Sequence, residues 1–230
     1  MIPKLKSHMQ HFVADRKFRT LDIDLQVVKK RFGSAYGGWD VAIECLYSDA
    51  VVYSAGVGLD ASFDLELMAQ FDLSVYAFDP TPQSISWVES ADFGPSFRFY
   101  PYGIAAFDGK ALFNPPRDPA HVSHTILQRE STSHLGFAAP FKRIKTIMSD
   151  LGHQRIDLLK LDIEGAEIDV VTDMLKTAVY PAQLLIEFHH QFPNVGIEST
   201  LRAIESLKSA GYKLFAISEH RTEFSFILNG

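Results

Sequence analysis

From residue 51 onwards, short β-rich runs alternate with amphipathic helical runs, and this alternation constrains the fold more than any other feature. The first run, AVVYSAG at 50–56, ends in glycine, and residues 62–71 follow with apolar side chains at helical spacing. Such alternation is typical of a mostly parallel sheet with helices on both faces. Only a few polar residues separate the last two β-rich runs, so we expect those strands to form an antiparallel hairpin.

The same pattern sets the predicted order of elements along the chain. Residues 108–140, rich in Pro, His and Ser, form the longest irregular stretch, as expected of a functional lid or a disordered segment. Ile23, Val27 and Val28 lie at helical spacing, so residues 1–50 are interpreted as an N-terminal helical extension and residues 51–230 as the main domain. Further strands are predicted at 74–80, 96–107, 156–162, 182–188, 212–218 and 223–229, and further helices at 81–90, 165–177 and 198–211.

Composition narrows the classes of partner. The formal net charge of −6 disfavours a general binder of nucleic-acid backbones. No apolar run reaches the ~18 residues of a membrane span, and the first twenty residues lack the apolar core of a signal peptide. Cys45 is the only cysteine, which predicts a reducing, cytoplasmic setting and excludes several cysteine-based zinc patterns.

A glycine-containing turn follows the first predicted strand. Gly56 and Gly58 lie between strand and helix, where glycines allow a tight turn and a close approach by a ligand. Residue 61 is Ala and no Gly-Lys-Ser/Thr follows, so neither a dinucleotide fingerprint nor a P-loop is complete. Asp79 ends the second strand, where an acid binds both hydroxyls of a ribose; alternatively it caps the turn before Pro80. These residues predict an adenosyl ligand without phosphates, and S-adenosylmethionine fits better than NAD.

Four segments in order, VVYSAGVGLDASFDLEL, VYAFDPTP, YGIAAFDG and LLKLDIEGAEIDVV, resemble the FkbM-type S-adenosylmethionine-dependent methyltransferases, and GSAYGGW resembles their upstream segment. The resemblance runs from about residue 33 to the C-terminus. It implies a Rossmann-like class I methyltransferase fold: α/β, with a mostly parallel seven-stranded sheet, an antiparallel C-terminal strand and helices on both faces. The main domain, 51–230, would then be the methyltransferase domain.

The resemblance also implies roles for residues around the glycine turn. Gly56 and Gly58 would line the methionine part of the cofactor, Asp79 would bind its ribose, and Gly103 with Ile104 would lie near adenine. Many methyltransferases carry an acid at the position of Ser54, which contacts the cofactor amino group; here Asp60 or a backbone carbonyl would replace it. The predicted cofactor-binding residues are Ser54, Gly56, Val57, Gly58, Asp60, Asp79, Pro80, Gly103, Ile104 and Asp162.

Acids and histidines end the fourth and fifth strands of the predicted sheet. Ligands of open parallel sheets bind at the carboxyl ends of the strands, so Asp162, Glu187, His189 and His190 are the predicted catalytic residues. An acceptor hydroxyl needs its proton removed, and His189 or His190 is the preferred base, although alternation points His190 the other way. A divalent ion held by Asp162, Glu187 and His189 is a less favoured alternative.

The remaining polar residues near these strand ends have divided interpretations. Glu164 belongs either to the site or to a helix start, and Glu167 is interpreted as structural. Lys160, inside an apolar strand, requires a partner, and Asp162 is the candidate. Side chains that could contact the acceptor, or else serve only as packing or loop residues, are Tyr36, Trp39, His121, Ser123, His124 and Glu164.

The sequence therefore predicts methyl transfer from S-adenosylmethionine to a hydroxyl of a small molecule, sugar or glycan. No nucleic acid is expected as a partner, and no membrane span is expected. One alternative is methylation of RNA or protein, which would need a basic or aromatic approach surface. The other is a catalytically silent module that binds S-adenosylmethionine, suggested only by the missing acid at Ser54.

Overall fold

A seven-stranded sheet forms the centre of the molecule. The computed structural model describes residues 15–116, 123–128 and 132–229. The strands are β1 (Lys29–Phe32), β2 (Trp39–Ala42), β3 (Val51–Ala55), β4 (Ser74–Phe78), β5 (Phe97–Tyr100), β6 (Gly103–Ile104), β7 (Gly109–Phe113), β8 (Phe137–Lys142), β9 (Leu158–Leu161), β10 (Gln183–Glu187), β11 (Tyr212–Ile217) and β12 (Glu223–Leu228). The central sheet has the order β11-β12-β10-β9-β3-β4-β5.

Strand direction in this sheet matches the prediction. Neighbouring strands from β10 through β9, β3 and β4 to β5 run parallel. β12 is antiparallel to both of its neighbours, β10 and β11. The predicted seven strands, the reversed last strand and the final hairpin are therefore confirmed.

Helices cover both faces of the sheet. They are α1 (Ser62–Phe71), α2 (Pro82–Ser90), α3 (Ile144–Leu151), α4 (Glu167–Lys176) and α5 (Gly196–Ser209), with short 3₁₀ turns at Ile43–Cys45 and Ser133–Leu135. Side chains of a strand alternate between faces, so Tyr53 belongs to one core cluster and Val52 to the other. The first cluster packs against α3, α4 and α5, whereas the second packs against α1 and α2. The predicted α/β class is confirmed.

The N-terminal region differs from the prediction. Residues 15–19 are helical, but residues 20–28 form no helix and β1 pairs with β2 in an antiparallel hairpin. The helical spacing of Ile23, Val27 and Val28 was misleading, because Val28 is exposed while Phe32 and Trp39 carry the buried surface. The Gln183 side chain of β10 accepts from Ala42 N at 3.0 Å and donates to Ala42 O at 2.9 Å, which ties the hairpin to the sheet.

The stretch 108–140 is less irregular than predicted. β7 and β8 occupy its two ends and join β6 in a three-stranded sheet of order β6-β8-β7. Phe113, Ala139 and Phe141 give this small sheet its own apolar cluster. The segments 117–122 and 129–131 lie outside the described residues.

In the described part of the chain, no helix has the length and apolar character that crossing a membrane would require.

Candidate active site

A cavity of about 700 Å³ opens at the carboxyl ends of β3, β4, β9 and β10. This size is within the range of cavities that hold small molecules and cofactors. Of the residues predicted to form a site, the cavity is lined by Tyr36, Trp39, Gly56, Val57, Gly58, Asp60, Asp79, Pro80, Gly103, Ile104, Ser123, His124, Asp162, Glu164 and Glu187. The topology thus gathers most of the predicted side chains at one sheet edge, as expected for parallel strands.

The glycine turn, residues 56–58, packs directly against the end of β9. Gly56 has φ +84°, and a Cβ there would overlap the carbonyl oxygen of Asp162. Its N–H donates to Phe78 O at 3.0 Å, and its own carbonyl accepts from Lys160 Nζ at 2.8 Å. Only glycine fits this position, because any side chain would separate the turn from the strand beside it.

Asp79 closes the glycine turn from the side of β4. Its Oδ2 accepts the N–H groups of Val57 at 3.0 Å and Gly58 at 2.9 Å. Its Oδ1 accepts the Thr81 N–H at 2.8 Å, which orders the start of α2. Asp79 is therefore both a cap before Pro80 and a wall of the cavity, so the two interpretations drawn from sequence are compatible.

Ser54 and Asp64 leave buried polar atoms unsatisfied beside this turn. Asp64, on α1, is 2% exposed and lines the cavity, while Ser54 lies beneath it on β3. Burial raises the pKa of Asp64 to about 6, although Lys160 and the Ser54 hydroxyl oppose the shift. The Ser54 hydroxyl lies close enough to Asp64 to lower its pKa. Among the described residues, however, neither Ser54 Oγ nor Asp64 Oδ1 has a hydrogen-bond partner. A cationic group of a ligand would satisfy such atoms.

The tip of the β1–β2 hairpin is fastened to the cavity through Asp60. Its Oδ2 accepts the Ser34 hydroxyl at 2.6 Å, and its Oδ1 accepts the Ser62 N–H at 2.8 Å. This anchoring sets Tyr36, 86% exposed, at the cavity mouth, and Trp39, buried, at its wall. Burial, and then the negative charges of Asp162 and Glu187, raise the pKa of Tyr36.

Gly103, Ile104 and His124 form the side of the cavity near the small sheet. A Cβ on Gly103 would lie 2.5 Å from the Phe141 ring, so a side chain would push into the apolar cluster of that sheet. His124 is buried, with its ring 5.4 Å from Phe113 and 5.8 Å from Phe137. Aromatic side chains therefore form this wall of the cavity, against which a ring system could pack. His121, which was also predicted to contact the acceptor, lies outside the described residues.

Three carboxylates, Asp162, Glu164 and Glu187, form the acidic rim of the cavity. Burial and then the charge of Asp162 raise the pKa of Glu187 to about 8. Burial also raises the pKa of Glu164, against the effects of His189 and the Ser123 hydroxyl. The shifts reflect like charges held close together with little water.

His189 lies behind the acidic rim rather than in the cavity. It is 4% exposed, with Nε2 at 3.3 Å from Glu164 Oε2 and Nδ1 at 2.9 Å from Glu167 Oε1. Burial alone would lower the pKa of His189, but Glu167, Glu164 and Asp162 raise it to about 10. The ring therefore faces carboxylates rather than the cavity, so the structure does not place His189 as the free base that the sequence favoured.

His190 points to the opposite face of the sheet, as strand alternation predicts. Its ring packs against Phe18 with the ring centroids 4.7 Å apart, and it does not line the cavity. The structure therefore does not bring His190 to the cavity, where a base is needed, because the backbone directs its ring to the other face of the sheet, beside Phe18.

The ligand atoms that could hold a metal also differ from the predicted set. Asp162, Glu164 and His189 each offer one ligand atom within 4.8 Å of the others, among the described residues. Glu164 therefore takes the place that was predicted for Glu187. Its backbone lies in the left-handed region, with φ +56°, a conformation that the sequence did not reveal.

Lys160 does not pair with Asp162 as the sequence suggested. Its Nζ donates to the carbonyl oxygens of Gly56 and, at 3.4 Å, Ala55. The partner is a main-chain group on the neighbouring strand, which spacing along one strand cannot indicate.

Sequence reasoning missed several residues that line the cavity: Arg31, Asp64, Glu219, His220 and Glu223. One of them, Asp64, could have been found, because it begins the apolar stripe of α1 that continues through Leu67, Met68 and Phe71. The others come from β1 and from the β11–β12 turn, and no local pattern links those segments to the glycine turn.

The sheet order, the reversed β12 and the cavity at the carboxyl ends of the strands define a Rossmann-like α/β methyltransferase fold. A family model described as "Methyltransferase FkbM domain" matches residues 73–214. The chain belongs to the FkbM methyltransferase family.

Two curated relatives are similar to parts of this chain. "Probable methyltransferase-like protein 24" of Homo sapiens is 26% identical over 151 residues, which is 65% of this chain and 35% of that protein. The protein of the same name from Rattus norvegicus is 27% identical over 174 residues, 71% of this chain and 42% of that protein. The chain thus matches less than half the length of these relatives.

One solved structure is also similar. A crystal structure of methyltransferase FkbM from Methylobacillus flagellatus KT aligns with a TM-score of 0.49 and 12% identity. The alignment covers 79% of this chain and 44% of that chain.

Proposed function

We propose that this chain is an S-adenosylmethionine-dependent methyltransferase that methylates a hydroxyl group of a small molecule, sugar or glycan. The observation that carries the proposal is the glycine turn closed by Asp79, which bonds the N–H groups of Val57 and Gly58. Membership of the FkbM family supports the methyltransferase class.

The closed turn argues for an adenosyl ligand that has no phosphates. In dinucleotide sites the free N–H groups of such a turn and its helix bind a diphosphate. Here a carboxylate already occupies two of these donors, so a phosphate would meet a negative charge. Asp79 can still accept a ribose hydroxyl, since its carboxylate oxygens retain free lone pairs.

The charge of the cavity argues for a cationic ligand. Among the described residues that line the cavity, Arg31 and Lys160 are the only arginine and lysine. Nine acidic side chains line the same cavity: Asp40, Asp60, Asp64, Asp79, Asp162, Glu164, Glu187, Glu219 and Glu223. S-adenosylmethionine supplies an electrophilic methyl group on a sulfonium, and its amino group is a second cation. Asp64, unsatisfied and buried, takes over the contact with that amino group from the acid missing at Ser54.

The acidic rim is the side of the cavity to which we assign the methyl acceptor. Asp162, Glu164 and Glu187 line it and can accept hydroxyl protons, whereas His189 lies behind them. We assign the removal of the acceptor proton to Glu187, while Asp162 and Glu164 orient the hydroxyl groups. The exposed ring of Tyr36 gives a stacking surface for a sugar at the mouth. A negative cavity favours neutral polyhydroxylated acceptors over anionic ones.

Calorimetry tests the cofactor assignment. The chain should bind S-adenosylmethionine, and NAD should bind at least about tenfold more weakly because of its diphosphate. Asp79→Asn should weaken S-adenosylmethionine binding by at least about tenfold, since one charged hydrogen bond is lost. Asp92→Asn, at an exposed site after α2, is the matched control and should bind normally. Tight NAD binding, or unchanged affinity in Asp79→Asn, would refute the assignment.

Transfer of a labelled methyl group tests the acceptor class. Neutral sugars and glycans should accept the label, and matched sugar phosphates should accept it poorly. Label found only in RNA or protein would move the acceptor to a macromolecule. Cofactor binding with no transfer to any panel would favour the catalytically silent alternative.

A further inference from the structure

We infer that Asp162, Glu164 and His189 form a binding site for a divalent cation, and that Mn²⁺ or Mg²⁺ fits it. The site itself does not depend on the proposed function; only its role in catalysis does.

The first support is the geometry of the three side chains. His189 Nε2 is 3.3 Å from Glu164 Oε2 and 3.9 Å from Asp162 Oδ1. A small divalent ion with bonds of about 2.1 Å in octahedral geometry places neighbouring ligand atoms about 3 Å apart. Small side-chain adjustments therefore suffice to close these distances around one ion. Two carboxylates and one imidazole are a donor set that suits Mn²⁺, with water or a ligand hydroxyl in the open positions.

The second support is the buried carboxylate of Glu167, which organises all three ligands. Its Oε1 contacts His189 Nδ1 at 2.9 Å, so Nε2 is the ring atom that faces the two acids. The same oxygen accepts the N–H groups of Ile163 at 3.2 Å and Gly165 at 3.0 Å. Those residues flank Glu164 and follow Asp162, so one anchor sets both the imidazole and the loop that carries the acids. A carboxylate behind a ligating histidine is the usual outer-shell partner of protein metal sites.

The third support is the charge balance. Asp162, Glu164 and Glu167 each have a carboxylate oxygen within 4 Å of the His189 imidazole, which offers at most one positive charge. Glu167 is 0% exposed, and its Oε2 has no hydrogen-bond partner among the described residues. Buried charge of one sign is costly unless a counter-charge compensates it. A divalent cation at the acids and the imidazole supplies that counter-charge where water has little access.

The cavity gives a cation both access and a role. Asp162 and Glu164 line the cavity while His189 forms the floor behind them, so an ion could enter from the cavity side. Under the proposed function, a cation there would hold an acceptor hydroxyl and lower its pKa. That assistance would act alongside Glu187, which lines the same rim.

Titration of the purified chain with MnCl₂, in the absence of any cofactor, tests the site. Free Mn²⁺ is measured by electron paramagnetic resonance, and one saturable site per chain that Mg²⁺ competes for is expected. Asp162→Asn and Glu164→Gln should each weaken binding by more than about 100-fold, because a direct ligand exceeds the 10- to 100-fold effect of outer-shell partners. Glu167→Gln should weaken binding by about tenfold.

Two control variants distinguish Mn²⁺ binding at this site from a general attraction of Mn²⁺ to acidic side chains. Glu187→Gln removes a carboxyl group of similar size from the same rim and should change Mn²⁺ affinity by no more than about threefold. Glu205→Gln, exposed on α5, should have no effect. Thermal unfolding of every variant in EDTA identifies any variant that has lost its fold. Electron spin echo measurements should show imidazole nitrogen coupled to bound Mn²⁺, and the coupling should disappear in His189→Gln.

The proposal is overturned if the wild type shows no saturable Mn²⁺ binding, or if folded Asp162→Asn and Glu164→Gln bind like the wild type. Loss of binding in Glu187→Gln instead of Glu164→Gln would reject this ligand set. Because Mn²⁺ binding is read without methyl transfer, failure of the metal site leaves the proposed function intact, and the reverse also holds.

Discussion

At the glycine turn, the Asp79 carboxylate meets three backbone N–H groups, whereas at the acidic rim Asp162, Glu164 and Glu187 lie beside one another. Both regions stand at the carboxyl ends of parallel strands and bound the same cavity. At the glycine turn, backbone N–H groups balance the charge of Asp79. At the acidic rim, the nearest counter-charge among the described residues is the His189 imidazole, which is held by a further acid, Glu167.

The difference indicates how each region would respond to a ligand. A self-satisfied turn is rigid before anything binds, which lowers the ordering cost of binding. A rim of unbalanced carboxylates costs stability in the free protein and regains it when a cation binds. Asp64 is the exception near the glycine turn, since among the described residues its buried Oδ1 has no hydrogen-bond partner.

The largest expected effect tests the rigidity of the glycine turn. Gly56→Ala should lower the free energy of unfolding by at least about 4 kcal/mol, because the new Cβ overlaps the Asp162 carbonyl and strains the backbone. Gly94→Ala is the matched control, since its φ is also positive, +76°, but nothing lies within 4 Å of the added carbon. Gly94→Ala should lower the free energy of unfolding by only about 1 kcal/mol, from backbone strain alone. Equal losses in chemical denaturation would mean that the contact with β9 is unimportant.

The next effect distinguishes His189, behind the rim, from His190, its neighbour in sequence on the other face of the sheet. His189→Leu should destabilise the fold by about 3 kcal/mol, because the buried Glu167 loses its charged partner. His190→Leu should change stability by less than about 1 kcal/mol, since its ring packs in apolar surroundings beside Phe18. Urea denaturation of both variants measures the contrast, and similar losses would show that Glu167 does not depend on His189.

Asp64 should make the free energy of unfolding depend on pH. The change is at most about 3 kcal/mol, because the pKa of Asp64 is raised from 3.8 to about 6. Well below the unfolded pKa of 3.8 the carboxyl is protonated in both folded and unfolded chains, so it adds no penalty. Between pH 4 and 6 the unfolded chain ionises first, so stability falls as pH rises, and above pH 6 the full penalty remains. Asp64→Asn should therefore become progressively more stable than the wild type between pH 4 and 7.

The same variant should lose affinity for S-adenosylmethionine if Asp64 contacts the cofactor amino group. A stability difference between Asp64→Asn and wild type that stays constant with pH would contradict the raised pKa. Unchanged cofactor affinity by calorimetry would remove Asp64 from the cofactor side of the comparison.

The smallest expected effect concerns the acceptor side. Glu187→Gln should lower kcat by about 10- to 100-fold and leave cofactor affinity unchanged. This decrease is at the low end of the usual effect of removing a positioned proton acceptor. Glu205→Gln, on the exposed face of α5, should keep full turnover. Full activity in Glu187→Gln would move proton removal to another member of the rim.

Much of the fold was predictable because the main domain keeps sequence neighbours together in space. Strand and helix periods differ, so the alternation from residue 51 revealed the sheet, and the short polar link before β12 revealed its reversal. The β1–β2 hairpin was missed because Ile23, Val27 and Val28 imitate a helical stripe. Its true apolar residues, Phe32 and Trp39, become visible as a pair only when the two strands are placed side by side.

The site was predictable where its parts are local and not where they are assembled across strands. Gly56, Gly58 and Asp79 follow strand ends, so topology alone brings them to the cavity. The carbonyl partners of Lys160 lie on another strand, and Glu164 reaches His189 only through a left-handed backbone. Distances of this kind depend on register and local conformation, which residue spacing does not contain.

The position of β12 has a consequence for how the chain folds. It follows β11 in sequence yet inserts between β11 and β10, so the sheet cannot be completed by adding strands in the order of the chain. Until the β11–β12 hairpin docks, the apolar strand β10 presents one unpaired backbone edge, which is a template for association between chains. Substitutions that slow docking of this hairpin should therefore reveal themselves first as aggregation during refolding, while the chemistry of molecules that do fold stays normal.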